Sequence, residues 1–269
     1  MNMNWQDLTA PELKRLVSDE SIAAMVLGAI EQHGSHLPLS CDLDIGCGLL
    51  ARARAQLPGD FSLVELPAMA IGASEEHLGY AGTLSIAPET AIASLESIGA
   101  ALSAVGIKRL VLCNSHGGNI AWMETAALRL RRRFGMLVVK MTYTRLGHPP
   151  DGLDADELRH GIHGGALETA LMRALAPNKV REDQLGCFKP VGFEDWPGPT
   201  GDVSWAWLAQ DLDPRGVVGD AGAGSAEIGA RLVEFYAGRM VDVLLRTREL
   251  TWPPGRRPDP SSFVEDVSK

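Results

Sequence analysis

Four short, mainly apolar runs recur along the chain and predict buried β-strands. They cover residues 22–30, 61–69, 108–114 and 136–142. A run without polar alternation is typical of a strand that is covered on both faces, as in a parallel sheet. The pattern therefore predicts a sheet with helices packed on each side.

Between these runs, apolar residues recur with helical spacing. The predicted helices cover residues 43–56, 87–105, 119–134, 165–175 and 225–248. Thr9, followed by Pro11 and Glu12, marks the start of another helix, because threonine favours the N-cap and proline and glutamate favour the first turn. Strands that alternate with helices indicate an α/β fold with a mostly parallel central sheet.

The second half of the chain is less regular. Residues 186–202 are rich in Gly and Pro and predict a long loop. A single α/β domain can run to about 250 residues, so we expect one domain over residues 1–250. Four prolines follow Trp252 and predict a C-terminal tail over residues 251–269.

Composition and charge narrow the range of partners. The chain has 269 residues, a formal net charge of −9 and four cysteines. This charge differs from the basic surface of a nucleic-acid binder, and so few cysteines argue against a disulfide framework. No window approaches the roughly 20 apolar residues of a membrane helix, and the first residues lack a signal-peptide pattern. We expect a cytoplasmic protein that binds neither nucleic acid nor membrane.

The candidate chemistry lies where predicted strands end. Glu31 and His33 follow the first strand and lead to Asp42, while His116 follows the third. A further histidine motif covers residues 162–169. Open α/β sheets bind ligands beyond the carboxyl ends of their strands. Alternate residues of an extended segment share a side, so Glu31 and His33 are expected to face one pocket.

Glutamate, aspartate and histidine without cysteine form a ligand set suited to zinc, manganese or iron. A carboxylate such as Asp42 can bridge two ions about 3.5 Å apart, which lower the pKa of a shared water and polarise a carbonyl. Any one of the three motifs alone is more often a polar turn, but the three together favour a metal site. Cys41 and Cys47, on either side of Asp42, are predicted to be small buried fillers.

One segment also carries a specific resemblance. Residues 29–39 (AIEQHGSHLPL) closely resemble the signature of the creatininase (creatinine amidohydrolase) family. Further segments resemble that family in the same order, namely residues 79–85, 114–119, 163–169 and 216–227. The resemblance implies a three-layer α/β/α fold and a metal-dependent amidohydrolase that is commonly hexameric.

Carried over position by position, the resemblance implies two divalent metal ions per subunit. One ion would be bound by Glu31, Asp42 and His116. The other would be bound by His33, Asp42 and Glu168, so that Asp42 bridges the pair. Zinc is the expected metal, with manganese or iron as alternatives, because their ligand preferences overlap.

Three further positions are candidates for catalysis and substrate binding. His163 matches the histidine credited with proton transfer in the family, and His77 falls in a segment that the family places beside the pocket. Trp205 and Trp207 have flat apolar rings that could stack on a heterocyclic substrate, although their spacing suits an exposed or interface surface equally well.

The sequence departs from creatininase itself at two positions near these motifs. Creatininase has His-Tyr-Glu after the third strand, with the glutamate as a ligand, where this chain has His116-Gly117-Gly118. It also has a glutamate before the catalytic histidine, where this chain has Ile162. Both differences count against creatinine as the substrate.

These observations predict an enzyme that hydrolyses a non-peptide C–N bond through a metal-bound hydroxide. The expected substrate is a small molecule with a cyclic amide or a formamide-like group. Two alternatives stay open: a peptide-processing hydrolase of the mycofactocin-system type, and a non-catalytic binding or assembly protein that retains the fold. The resemblance also implies a homo-oligomer, and specifically a hexamer.

Overall fold

The computed structural model describes residues 2–147, 149, 152–188 and 196–253. The strands are β1 (Asn2–Asn4), β2 (Ile22–Leu27), β3 (Leu63–Glu65), β4 (Arg109–Asn114), β5 (Leu137–Thr142), β6 (Cys187–Phe188) and β7 (Gly219–Asp220). The helices are α1 (Ala10–Leu16), α2 (Cys41–Gln56), α3 (Pro88–Ala104), α4 (Ile120–Phe134), α5 (Ala155–His160), α6 (Ala166–Leu175), α7 (Ala209–Leu212) and α8 (Ala226–Glu249).

Five strands form one parallel sheet in the order β1-β3-β2-β4-β5. The register places Leu27 of β2 opposite Asn114 of β4, and Asn114 opposite Thr142 of β5. Because these three strands are parallel and end together, the segments that follow them leave the sheet at one edge. The predicted mostly parallel sheet is confirmed, and its carboxyl edge collects the segments after β2 and β4.

The sheet is covered on both faces by helices. All six residues of β2 are buried. Ile22, Ala24 and Val26 belong to the core on the side of α2, α6 and α8. Their neighbours along the strand join the opposite core with α3 and α4, which explains why the strand sequence shows no polar alternation. This is the expected three-layer α/β/α arrangement.

The helix ends follow local sequence signals. The Thr9 backbone N–H and hydroxyl both donate to the Glu12 carboxylate at the start of α1. Pro88 occupies the first turn of α3, where its missing N–H is not needed. Gly135 ends α4 in the left-handed region at φ 67°, a conformation that glycine adopts without steric cost. The long helix α8 begins after Ser225, whose side chain accepts a hydrogen bond from the Ile228 N–H.

Two strand features differ from the expectation. The apolar run over residues 61–69 pairs as a strand only over Leu63–Glu65, and Pro67, which has no N–H to donate to a neighbouring strand, lies just beyond it. The edge strand β1 was not predicted, because only Met3 of its three residues is buried and the segment shows no apolar run.

At the start of the predicted C-terminal tail, Trp252 packs against the end of α4. Trp252 donates its indole N–H to the Gly135 carbonyl at 3.1 Å, and the Arg131 guanidinium lies 4.6 Å from the centre of its ring. The rest of the predicted tail, residues 254–269, lies outside the described residues, as do residues 189–195 of the predicted loop. None of the described helices has the length and apolar character needed to cross a membrane.

Candidate metal centre

The structure brings the five predicted ligand residues together beyond the carboxyl edge of the sheet. Glu31 and His33 lie in the segment that follows β2, and His116 lies just after β4. Asp42 and Glu168 project from the first turns of α2 and α6. Glu168 is partly exposed, whereas the other four residues are buried.

Glu31, Asp42 and His116 form one compact group, as the resemblance implies. The distance from His116 Nδ1 to Asp42 Oδ2 is 3.3 Å, and that from His116 Nε2 to Glu31 Oε2 is also 3.3 Å. Each of the three residues offers a potential ligand atom within 4.8 Å of the other two. A single cation could therefore reach all three.

His33 lies between Asp42 and Glu168. Its Nε2 atom is 3.6 Å from Asp42 Oδ1 and 3.8 Å from Glu168 Oε2. Asp42 thus points one oxygen at His33 and the other at His116. This is the placement that a carboxylate bridging two ions requires.

Backbone carbonyls fix the orientation of both candidate histidine ligands. His33 Nδ1 lies 3.1 Å from the Glu31 carbonyl oxygen, and His116 Nε2 lies 2.8 Å from that of Ala73. A carbonyl oxygen only accepts, so each of these nitrogens carries the hydrogen and donates it. In the neutral rings, the lone pairs are left on His33 Nε2 and His116 Nδ1, the nitrogens that face Asp42. Metal-binding histidines characteristically donate their second N–H in this way.

Several buried atoms at the centre have no hydrogen-bond partner within the described part of the chain. They are Glu31 Oε2, His33 Nε2 and Asp42 Oδ2. Burying an unpaired carboxylate oxygen costs free energy, and the Asp42 carboxylate also lies beside the imidazole lone pairs of His33 and His116. Divalent cations held in the two groups would satisfy these atoms, with Glu31 Oε2 and Asp42 Oδ2 in one group and His33 Nε2 in the other, so the residues present fit metal binding.

The electrostatics of the metal-free cluster are consistent with this interpretation. Burial raises the pKa of Glu31 to about 8. Burial also opposes the charged form of His116, but Glu31 and Asp42 outweigh it and raise the pKa of His116 to about 10. Burial disfavours ionisation of Asp42 as well, yet His33 and His116 hold its pKa below the ordinary value. Without metal, Glu31 and His116 therefore favour their protonated forms in the region in which cations would bind.

His163 lies against this cluster. Its Nε2–H donates to the Gln32 carbonyl oxygen at 2.7 Å, which leaves the Nδ1 lone pair 3.7 Å from Glu31 Oε1. Burial, and then the nearby His33 and His77, lower the pKa of His163 well below its ordinary value. The ring is therefore neutral and presents an unprotonated nitrogen to the centre.

Gln32 is a site residue that the sequence interpretation missed. Its side-chain amide donates to His77 Nδ1 at 2.9 Å, and its side-chain oxygen accepts the Gly34 N–H at 3.0 Å. His77 consequently directs Nε2 at Glu31 Oε1, 3.5 Å away, and its ring stacks on His163 with centroids 4.1 Å apart. The only available signal was the position of Gln32 between two candidate ligands.

A cavity of about 510 Å³ opens onto the cluster. Of the two tryptophans proposed for substrate stacking, Trp207 lines this cavity, and its indole N–H donates to the Pro199 carbonyl at 3.0 Å. Trp205 is not among the described lining residues, and its backbone N–H donates to the Gly198 carbonyl. Trp207 is therefore placed to touch a ligand, and the backbone of Trp205 is held in the same loop by its hydrogen bond to Gly198.

Two further residues lie closer to the centre than the sequence suggested. Cys41 is fully buried, as expected of a filler, but its sulfur lies within 4.8 Å of ligand atoms of His33 and Glu168. Burial raises the pKa of the Cys41 thiol to about 12, which favours the neutral form. Glu76 also lines the cavity, with Oε1 3.9 Å from His116 Nε2.

Comparison with known proteins matches nearly the whole chain to one family. The family model for creatininase, described as creatinine amidohydrolase, matches residues 6–244. A mycofactocin precursor peptide peptidase of Mycolicibacterium smegmatis is 29% identical over 244 residues, which cover 88% of each chain. A creatinine amidohydrolase of Pseudomonas putida is 25% identical over 261 residues, or 90% of this chain and 94% of that protein.

Solved structures show the same fold. One named "Creatininase Mn" matches with a TM-score of 0.76 and 24% identity, covering 91% of this chain and 98% of that chain. The fold that the sequence resemblance implied is thereby confirmed. Since the family model spans four of the five strands of the sheet and all five candidate ligands, the chain belongs to the creatininase family of hydrolases.

Proposed function

We propose that this protein is a dinuclear metal-dependent amidohydrolase that cleaves a non-peptide C–N bond in a small molecule. Cyclic amides and formamide-like groups are the substrate classes. The supporting observation is the convergence of Glu31 Oε2, His33 Nε2 and Asp42 Oδ2, which are buried beside one another without hydrogen-bond partners within the described residues. Acidic and imidazole donors in this arrangement suit divalent cations.

We assign the five residues to two ions, with Asp42 shared by both. Glu31, Asp42 and His116 would hold one, and His33, Asp42 and Glu168 the other. Two such ions lower the pKa of a water molecule and polarise the carbonyl oxygen of a substrate. Zinc suits this nitrogen and oxygen set, and manganese or iron would fit the same ligands.

His163 moves the proton in the proposed reaction. Its free Nδ1 accepts a proton as water oxygen adds to the carbonyl carbon, and the same atom returns that proton to the leaving nitrogen. The C–N bond then breaks to give a carboxylic acid and an amine. The Gln32 carbonyl holds the opposite N–H throughout, so the ring stays oriented while its charge changes.

The cavity suits a ligand of this size. Its volume of about 510 Å³ falls within the roughly 300–1,000 Å³ typical of small-molecule sites. Trp207 supplies a flat apolar surface in the cavity wall, and Thr200 and Tyr143 supply hydroxyl groups. These groups would orient the substrate relative to the ions.

A second candidate function is peptide processing. It is favoured by the 29% identity to the mycobacterial protein named as a mycofactocin precursor peptide peptidase. In that case the cavity would hold the end of a peptide rather than a whole small molecule. The same residues would carry out the chemistry, so the two candidates differ only in substrate.

Metal analysis and a two-part substrate panel test these proposals. We expect two divalent ions per chain in the purified protein and a loss of metal in Glu31→Gln. Hydrolysis of lactams or formamides in preference to short peptides would support the first candidate, and the reverse would support the second. Less than one ion per chain, unchanged in Glu31→Gln, would contradict both. Normal metal content without turnover of either panel would instead favour a binding or assembly protein.

A further inference from the structure

Glu76 is a carboxylate of the cavity wall that the proposed metal chemistry does not use. It lies in the short helical turn Glu75–His77, and its side chain is 22% exposed. Its Oε1 atom is 3.9 Å from His116 Nε2. No hydrogen bond between described residues engages its carboxylate. The group therefore faces the cavity beside the metal centre and is free to meet a ligand.

Gly118 provides the space in which this carboxylate lies. A Cβ atom at this position would come within 2.8 Å of Glu76 Oε1 and 2.6 Å of His116 Nε2. It would also come within 2.3 Å of the Ala73 carbonyl oxygen, which cannot move aside as a flexible side chain could. The bare backbone at Gly118 is what allows Glu76 to approach the centre.

Glu76 does not belong to the ligand clusters themselves. Three groups of described residues bring potential ligand atoms within 4.8 Å of one another, and Glu76 is in none of them. It stands at the edge of the centre, on the cavity side. Its position is that of a group that touches the substrate rather than the ions.

The only described basic side chains beside Glu76 in the cavity lining are imidazoles. The described lining includes the carboxylates of Glu31, Asp42, Glu76 and Glu168, and it contains neither lysine nor arginine. The other three carboxylates are the candidate metal ligands, so Glu76 is the lining carboxylate left to meet a ligand.

We propose that Glu76 determines specificity by binding a protonated amine or guanidinium group of the substrate, next to the amide that is cleaved. This inference rests on the proposed function and names the substrate class more narrowly. A charge-assisted hydrogen bond to a carboxylate in a partly enclosed cavity is stronger than one between neutral groups. The protein would therefore favour a cationic amide over a neutral amide of the same shape.

Two amides of equal size test this preference. Calorimetry on the metal-loaded protein would compare glycinamide, which carries a protonated amine, with propionamide, which carries a methyl group instead. We expect the wild-type protein to bind glycinamide about tenfold more tightly. In Glu76→Gln the two affinities should become equal within about twofold. Glu75→Gln is the matched control, because Glu75 is exposed and does not line the cavity.

Metal content, measured on the same samples, separates the possible failures. We expect Glu76→Gln to retain the wild-type number of ions. A variant that loses an ion would show that Glu76 is a ligand, and the proposal would be wrong. A preference for glycinamide that persists in Glu76→Gln would show that the ions, and not Glu76, bind the amine. That result would also overturn the proposal. A wild-type protein without metal would contradict the proposed function itself, whereas a metal-loaded protein without the preference contradicts only the role of Glu76.

Discussion

At the residue scale, the candidate centre depends on which nitrogen of each histidine carries a hydrogen. His33 donates Nδ1–H to a carbonyl of its own segment, and His163 donates Nε2–H to the Gln32 carbonyl. In its neutral form, each ring therefore turns its lone pair towards the buried carboxylates. The carbonyls set both the ring orientation and the tautomer, so the site is prepared before a cation arrives.

Asp42 should matter more for metal binding than Glu168. In the proposed arrangement Asp42 contacts both ions and Glu168 only one, so Asp42→Asn should retain less than one ion per chain and Glu168→Gln about one. Plasma mass spectrometry of the purified variants measures this directly. Asp44→Asn is the control, because Asp44 lies on the same helix but pairs with Lys179 at 2.7 Å. Equal metal content in Asp42→Asn and Asp44→Asn would rule out the bridge.

His163 should affect turnover without affecting metal content. Removal of a positioned proton-transfer group typically lowers kcat by roughly 10²- to 10⁴-fold, and we expect His163→Asn to fall in that range with both ions retained. Steady-state kinetics on the best substrate of the panel, with metal analysis alongside, would measure both quantities. His163 also has a ring nitrogen within 4.8 Å of potential ligand atoms of Glu31 and His33, so loss of an ion in this variant would identify His163 as a ligand instead.

Sequence analysis identified site residues only where a motif marked them. Glu31, His33 and His116 follow apolar runs, and a strand end is where this type of sheet binds ligands. The roles of Gln32 and Glu76 were not predicted, although Gln32 lies between two predicted ligands, because they depend on contacts with residues distant along the chain, including His116 and Gly216. Spacing alone cannot report that kind of proximity.

At the element scale, Glu157 joins three segments behind the centre. From α5 its carboxylate accepts the backbone N–H of Ala166, where α6 begins, at 2.7 Å, and that of Asp220 in β7 at 2.8 Å. Added Cβ atoms at Gly165 and Gly219 would approach Glu157 Oε1 to 2.4 and 2.6 Å. The carboxylate is thus held among glycines and fixes the start of the helix that carries Glu168.

Glu157→Gln should weaken the contacts that hold α5, α6 and β7 together. The amide can accept one of the two N–H groups but places a donor against the other, so we expect the free energy of unfolding to fall by about 1–2 kcal/mol. The occupancy of the ion nearest Glu168 should also fall. Thermal unfolding and metal titration measure the two effects, with Asp156→Asn, an exposed neighbour, as control. Identical behaviour of the two variants would contradict the role given to Glu157.

Elements with a strong apolar pattern were predictable, whereas short paired segments were not. The predicted helix over residues 225–248 is α8 with its boundaries moved by one residue. The β6–β7 pair has two residues in each strand, too few to produce any periodicity. The two strands are more than thirty residues apart in the chain, so the local sequence around either strand does not indicate that they pair.

At the scale of the whole molecule, the family resemblance leads us to propose a homohexamer. Light scattering coupled to size-exclusion chromatography should then give about six times the chain mass of 28.8 kDa. Measurement at several protein concentrations would show whether the assembly dissociates on dilution. A species of one chain mass across the concentration range would contradict the proposal.

The central claim is that one fold gathers five distant side chains around two cations. A crystal structure of the metal-loaded protein, with anomalous scattering recorded at the absorption edge of the metal, tests it most directly. We predict two anomalous peaks on opposite sides of Asp42, one shared with Glu31 and His116 and the other with His33 and Glu168. Absence of both peaks, or peaks remote from these residues, would contradict it.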